Sequence, residues 1–406
     1  MSRVFDVLVV GGGPAGSTVA THLARAGRAV LLVDAARFPR HKICGEYVPP
    51  AALRSFAALG VLEEVERLGP RRHVGMAVIA PDGTEVLGRY GEGSARGFSL
   101  RRYDLDLVLI ENAGRAGAQV LQGWRVVDLA RAGDGLFDLT LVRTDAPGED
   151  RRSVRARAIV GADGRNSLVA RRLGLRRREP RHRRFAVMGH FRGVQAPGDH
   201  GEMIVTPYGY CGINPLPDGL ANVALVVDPS RQPGALPGRA ALPAFFRERL
   251  ESHPLLRLRM AGATLAEGLW ATGPIACRSA RAVADGAILV GDAAGFYDPF
   301  TGEGIGMALR GGEMAAEVLL AALRRGRLDA RALSSYEAGR RAAFGARLRL
   351  DRSLQALLLR PRLTDWFAGK LRREQGLADL LARVTGDTAP AGDLLRPGFV
   401  ARLLRA

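Results

Sequence analysis

His41-Lys42-Ile43-Cys44-Gly45-Glu46 places four groups able to move protons or attack an electrophile within six positions. A neighbouring ammonium lowers a thiol's pKa, so Cys44 beside Lys42 is a candidate thiolate. The alternative is a cysteine that only packs as a small apolar group. His41 and Glu46 are candidates to exchange protons with a substrate, against a plainer reading of His41 as a solvated loop residue.

Three aspartates accompany glycine-rich turns. Gly11-Gly12-Gly13-Pro14-Ala15-Gly16 satisfies G-x-G-x-x-G between an apolar run, Val4 to Val10, and a helical pattern, Pro14 to Gly27. Such a turn lets a backbone approach a pyrophosphate at a helix N-terminus, which makes Gly11, Gly13, Ala15 and Gly16 candidate cofactor contacts. Asp34 closes the following strand-like run, where a carboxylate accepts ribose hydroxyls. Gly161-Ala162-Asp163-Gly164 and Gly291-Asp292-Ala293-Ala294-Gly295 each follow an apolar run in the same way.

The elements needed to hold these turns are legible as alternating strands and helices. A βαβ unit opens the chain, and Pro81-Asp82-Gly83 marks a hairpin between Met76–Ile79 and Thr84–Leu87. A helix is expected from Arg102 to Gly117, then three short strands between Trp124 and Arg157, then an apolar strand from Ala158 to Gly161. Period-two strands dominate from Phe185 to Trp270, with one helical stretch near Ala241 to Glu251. A helix is expected from Gly304 to Arg325, and everything beyond Leu328 reads helical.

The order of the three motifs resembles the p-hydroxybenzoate hydroxylase and geranylgeranyl reductase superfamily over about residues 4 to 330. That resemblance implies a Rossmann-like FAD-binding domain of the glutathione reductase type, an α/β fold. An inserted, mainly antiparallel β-sheet substrate domain and a helical C-terminus complete it. The expected boundaries are 1–75, 98–184 and 275–330 for the FAD domain, 76–97 and 185–274 for the substrate domain, and 331–406 for the C-terminal helices.

By the same resemblance, Asp292 binds a ribityl hydroxyl of FAD, while Asp163 and Gly164 serve FAD and the nicotinamide cofactor. Pro299-Phe300-Thr301-Gly302-Glu303-Gly304-Ile305 is similar to the family's P-x-x-G-x-G-x segment. Backbone N–H groups around Gly302, Gly304 and Ile305 there face the flavin pyrimidine, and Pro299 borders the substrate. Arg102, in an R-x-x-L-D pattern, is a candidate for the FAD phosphates, with an ion pair to Asp106 as the alternative. The Lys42-x-Cys44-Gly45-Glu46 loop is similar to one beside the isoalloxazine ring in the geranylgeranyl-reductase-like subgroup.

Pro207-x-x-Tyr210-x-Gly212-x-Asn214-Pro215 is similar to the reductase substrate motif P-x-x-Y-x-W-x-F-P, with Gly212 and Asn214 replacing two aromatic walls. Space and polarity at Tyr210, Gly212 and Asn214 lead to the expectation of an NADPH- or NADH-dependent monooxygenase acting on an aromatic or polyketide-like molecule. The alternative is alkene reduction on an isoprenoid. A flavin halogenase fits less well, because W-x-W-x-I-P is absent and no lysine lies between Lys42 and Lys370. A prenyl-binding escort of the same architecture has no need for the three aspartates.

Composition bounds the remaining classes. The net charge of +18 comes almost wholly from arginines spread along all 406 residues, so a nucleic-acid partner is not expected. The densest run, Arg176 to Arg184, reads as a solvated loop. Cys44, Cys211 and Cys277 are too few and too scattered for a disulfide framework, and C-x-x-C is absent, so no metal is expected. With neither a leader-like nor a spanning apolar segment, a cytoplasmic location is expected. The C-terminal leucines and arginines suit covering the substrate domain, with contact to an anionic membrane surface as a second role.

Overall fold

Parallel strands buried on both faces read as unbroken apolar runs, and the first strand, Val4–Val10, does so. The computed structural model describes residues 3–405 apart from 92–95, 147–149, 178–182, 196–197 and 232–236. Most of the arginine run at 176–184 therefore lies outside the described residues.

Strands Ala287–Leu289, Arg151–Gly161, Val4–Val10, Val30–Asp34 and Gln119–Gln122 lie side by side in parallel. Val7, Leu8, Leu31, Leu32, Ile159 and Ile288 of this sheet are fully buried. The helices Pro14–Arg25 and Gly304–Arg324 pack together over it. Val10 pairs with Val33 and with Gly161, and Gly161 pairs with Leu289. That register brings the strand ends, and all three glycine–aspartate turns, to one edge of the sheet. Ligands of open parallel sheets bind outside such carboxyl ends.

The expected separate strand at Ala158–Gly161 is instead the end of one eleven-residue strand, Arg151–Gly161. Its exposed first half pairs antiparallel with Phe137–Arg143, and its buried second half pairs with the first strand. The change from mixed to apolar composition marks a change of neighbours within one strand. Gln119–Gln122, four partly polar residues, carries too weak a pattern to be seen in sequence.

A second, seven-stranded sheet runs in the order Thr264–Thr272, Phe185–Arg192, Leu220–Val227, Gly209–Pro215, His200–Thr206, Gly75–Ile79, Glu85–Arg89. It is antiparallel except where His200–Thr206 meets Gly75–Ile79. The early hairpin is thus part of this sheet despite its distance in sequence. C-terminal helices cover its edge: Gln375 donates to the Leu87 carbonyl at 2.7 Å, and the Arg89 N–H donates to Asp379 at 2.9 Å. Covering an edge strand in this way removes a template for unwanted pairing. No described helix is long and apolar enough to cross a membrane.

Candidate FAD and substrate site

A cavity of about 840 Å³ runs from the glycine turn at the parallel sheet to the face of the second sheet. Gly11 has φ +106°, and a Cβ there would lie 2.3 Å from the Ala162 carbonyl oxygen. Gly12 N–H donates to Asp34 at 2.7 Å, and Ala36 N–H binds the other Asp34 oxygen at 2.8 Å. The helix that follows has no acidic side chain in its first turn, so its N-terminus is free to attract an anion. The Gly304–Arg324 helix likewise starts without an acidic group in its first turn.

The sequence-derived candidates Gly11, Gly13, Ala15, Asp34, Asp163, Gly164, Asp292, Gly302, Gly304 and Ile305 all line this one cavity. Gly16 does not. A Cβ on Gly16 would sit 1.8 Å from the Gly11 carbonyl oxygen, so this glycine lets helix and turn approach rather than touching a ligand. Asp163 accepts from the Leu168 N–H at 2.6 Å with one oxygen, while its other oxygen is buried without a partner. Burial raises its pKa. An orphaned carboxylate oxygen in a glycine-lined cradle fits a ligand rich in hydroxyl groups.

These residues fit FAD: Asp34, Asp163 and Asp292 would meet hydroxyls, and the two helix starts would meet the pyrophosphate and the ring. When bound, FAD supplies the electron transfer, and the protein supplies orientation and electrostatics.

Arg102 lines the cavity and also makes the ion pair with Asp106 that was the alternative. Its Nε and Nη2 bind both oxygens of buried Asp106 at 2.7 Å each, and its backbone N–H donates to Glu46 at 2.8 Å. The guanidinium fork is used inside the protein. Arg40, which sequence reasoning missed, pairs with the same Asp106 at 3.0 Å and reaches within 3.8 Å of the Gly13 Cβ position. It stands over the glycine turn together with Arg102, whose Nη2 lies 4.0 Å from the same position.

The 41–46 loop is also corrected. Burial pushes the Cys44 thiol up, against a smaller downward pull from Arg102, so Cys44 is not a ready thiolate. Lys42 is itself lowered by burial, with Asp292 the leading opposing influence. Its ammonium lies 3.5 Å from the Gly164 Cβ position, on the cofactor side of the loop. His41 is exposed and stacks on Trp270 with centroids 4.4 Å apart. Glu46 is 1% exposed, and hydrogen bonds to His190 and Asn222 hold one of its oxygens inside the protein.

At the substrate end, Tyr210, Gly212, Asn214 and Pro299 line the cavity with Met76, Ala186, Met203, Val226, Ile275 and Phe300. Tyr210 turns its hydroxyl onto buried Asp298 at 2.5 Å and offers its ring edge-on to Phe300. Asn214 donates to the Gly45 carbonyl at 2.8 Å, and its oxygen stands 2.6 Å from the Gly201 Cβ position. The Tyr210 hydroxyl and the Asn214 amide nitrogen are engaged with protein, the Asn214 oxygen is buried without a partner, and the wall is mostly apolar.

A network behind the cofactor loop was invisible in sequence. Arg347, Asp351 and Gln355 recur every four residues on the helix Ala330–Leu358 and meet Glu303, Thr301 and Asp298 in turn. Arg184 reaches Asp298 at 2.7 Å from the other side. Among the described residues, His41, His190 and Glu267 bring metal-type donor atoms within 4.8 Å of one another. Both His190 nitrogens, however, face carboxylates at hydrogen-bond distance.

A glycine cradle, aligned aspartates and a second sheet closing the cavity define an FAD-dependent oxidoreductase. The chain belongs to the FAD binding domain family, which matches residues 4–349, and to the p-hydroxybenzoate hydroxylase and geranylgeranyl reductase superfamily. It is 33% identical to digeranylgeranylglycerophospholipid reductase 1 of Methanothermobacter thermautotrophicus, over 82% of this chain and 81% of that protein. It is 29% identical to menaquinone reductase of Mycolicibacterium smegmatis, over 79% and 77% of the two chains. The fold is shared with the flavin-dependent brominase Bmp2 at a TM-score of 0.82, with 21% identity and full coverage of both chains.

Proposed function

We propose that this enzyme uses FAD to reduce a carbon–carbon double bond in an isoprenoid chain, with NADPH or NADH as the source of hydride. The observation that carries this reading is the largely apolar cavity wall, in which the two donors, the Tyr210 hydroxyl and the Asn214 N–H group, are engaged with Asp298 and Gly45. A hydrocarbon leaves no buried donor unpaired there, whereas a polar ring would find few partners. Two relatives named as reductases, one of a digeranylgeranylglycerophospholipid and one of menaquinone, support it. Gly212 favours a second reading, oxygenation of a compact aromatic or polyketide-like molecule, because a side chain is missing where a broad ring would fit.

Product mass separates the two. With NADPH and a polyprenyl quinone or phospholipid, the expected product gains two hydrogens and forms without oxygen. A product gaining one oxygen atom, formed only in air, would replace the first reading with the second.

A lipid substrate also gives meaning to the C-terminal surface. Leu359, in the turn before the helix Pro361–Arg373, and Leu363 and Trp366 on that helix are each at least 40% exposed, with exposed Arg360 and Arg362 beside them. Leu404, 65% exposed, belongs to the last helix, whose backbone accepts from Lys370 at 3.5 Å. We propose that this patch touches an anionic bilayer. Flotation with acidic-lipid vesicles should be lost in high salt and in Trp366→Glu, and flotation unaffected by both would remove the patch from the reaction.

A further inference from the structure

One polar residue from each of four adjacent strands forms a row across an otherwise apolar sheet. Glu267 pairs across the ladder with His190, His190 with Asn222, and Asn222 with Asn214. Asn214 and Asn222 donate to the carbonyls of Gly45 and Cys44, which seats the cofactor-side loop on the row. His190 is completely buried, with Nε2 at 2.7 Å from Glu46 and Nδ1 at 2.6 Å from Glu267.

We propose that Glu267–His190–Glu46 is a proton path from solvent to the cavity. Its outer end, the Glu267 side chain, is 30% exposed and is steadied by Arg101 at 3.0 Å. Its inner residue, Glu46, lines the cavity. The inference rests on the proposed alkene reduction, which needs one proton for each hydride delivered. His190 gives its Nε2 proton to Glu46, which passes it towards the cavity; a half-turn of the ring then presents the emptied nitrogen to Glu267, which delivers to it a proton taken from water. The hydride and this proton together form two C–H bonds in place of the double bond, and no other reagent is consumed. A histidine between two carboxylates has a donor on each nitrogen when charged, so the half-turn restores the same pair of hydrogen bonds once the ring is reprotonated.

The groups facing His190 fit that charge. Glu46 and Glu267 favour the imidazolium and burial opposes it, with the balance raising its pKa. Arg101, Arg102 and Asp104 surround the carboxylates, Cys44 adjoins Glu46, the His41 ring lies 6.1 Å away, and Trp270 stands edge-on at 5.6 Å. A purely structural role, in which His190 only pins Glu46 in its left-handed conformation (φ +56°), would not require a solvent-facing carboxylate at the other nitrogen.

Glu267→Gln tests the solvent end without disturbing Glu46, and His190→Gln tests the link. Both should keep bound flavin and its reduction by NADPH. Both should slow the reductive half-turnover of substrate by roughly a hundredfold and change its solvent deuterium isotope effect and pH profile, with Glu267→Asp restoring most of the rate. Nitrogen-15 NMR of the histidines in flavin-free protein provides a readout independent of turnover: the His190 titration should move to lower pH in Glu267→Gln. An unmoved titration, or a Glu267→Gln enzyme with wild-type rate and isotope effect, would overturn the path even if His190→Gln fails to fold. If the product is oxygenated, the alkene reading falls, while the NMR titration still decides whether His190 is coupled to Glu267.

Discussion

Gly16→Ala is expected to abolish flavin binding by breaking the fold around it, whereas Gly13→Val is expected to abolish binding while leaving the fold intact. The two glycines sit three positions apart in one motif, yet their surroundings are opposite. A methyl on Gly16 would lie 1.8 Å from a backbone oxygen that belongs to the turn itself, and no side-chain adjustment relieves such a contact. Overpacking against backbone costs on the order of 3 kcal/mol or more. Gly13 has ordinary extended angles, φ −72° and ψ −177°, and the nearest atom to its Cβ position is 3.8 Å away across open cavity. Valine is tolerated there until the cofactor arrives. Purified Gly13→Val should be colourless with a melting temperature near that of wild-type apoprotein, and Gly16→Ala should be colourless and melt far lower. Equal melting temperatures for the two would show that Gly16 does not hold the turn.

Replacing Arg347 with methionine should destabilise the protein by about 3 to 5 kcal/mol near pH 9, where Glu303 is ionised, as expected when one partner of a buried ion pair is removed. Arg347 meets Glu303 at the head of the helix that would face the flavin, and it also meets Asp387. Glu303 is 4% exposed, and burial pushes it up to about 8; Arg347 is the main downward influence, while Asp351 and Asp387 add to the rise. The folded protein therefore holds a proton on Glu303 at pH values where the unfolded chain, with the ordinary value of 4.5, has lost it. Stability from this group falls as pH rises from about 4.5 to about 8. Without Arg347 the folded value rises further, so the loss extends to higher pH. Thermal melts should show a small difference between Arg347→Met and wild type at pH 5 and a large one at pH 9. A difference independent of pH would show that packing, and not the ion pair, carries Arg347's contribution.

Local chemistry was enough to name residues that the fold gathers around one cavity. A glycine turn, a carboxylate at a strand end and two later glycine–aspartate turns each follow an apolar run, and parallel pairing with matched register can only deliver them to the same sheet edge. Strand burial on two faces is written as composition, so the class of fold and the FAD site were legible in residues close together in sequence. The substrate-side sheet was legible as alternation, though its inclusion of the early hairpin was not expressed in any local pattern.

The roles of polar side chains were decided only by tertiary packing. Arg102 and Arg40 lie on different segments and share one buried aspartate, and only the fold brings both guanidinium groups to the glycine turn. Cys44 sits beside a lysine in sequence, but the free energy of its thiolate is set by the burial around it. His190 occurs in a strand that reads as core, and it becomes notable only because residues 144 positions before it and 77 after it bring carboxylates to its two nitrogens. The sequence alone therefore determined the backbone cradle, since turns and strands follow from local sterics and hydrophobic period. The tertiary structure decided the protonation and partnership of the groups around it, because those depend on distances between residues that no spacing records.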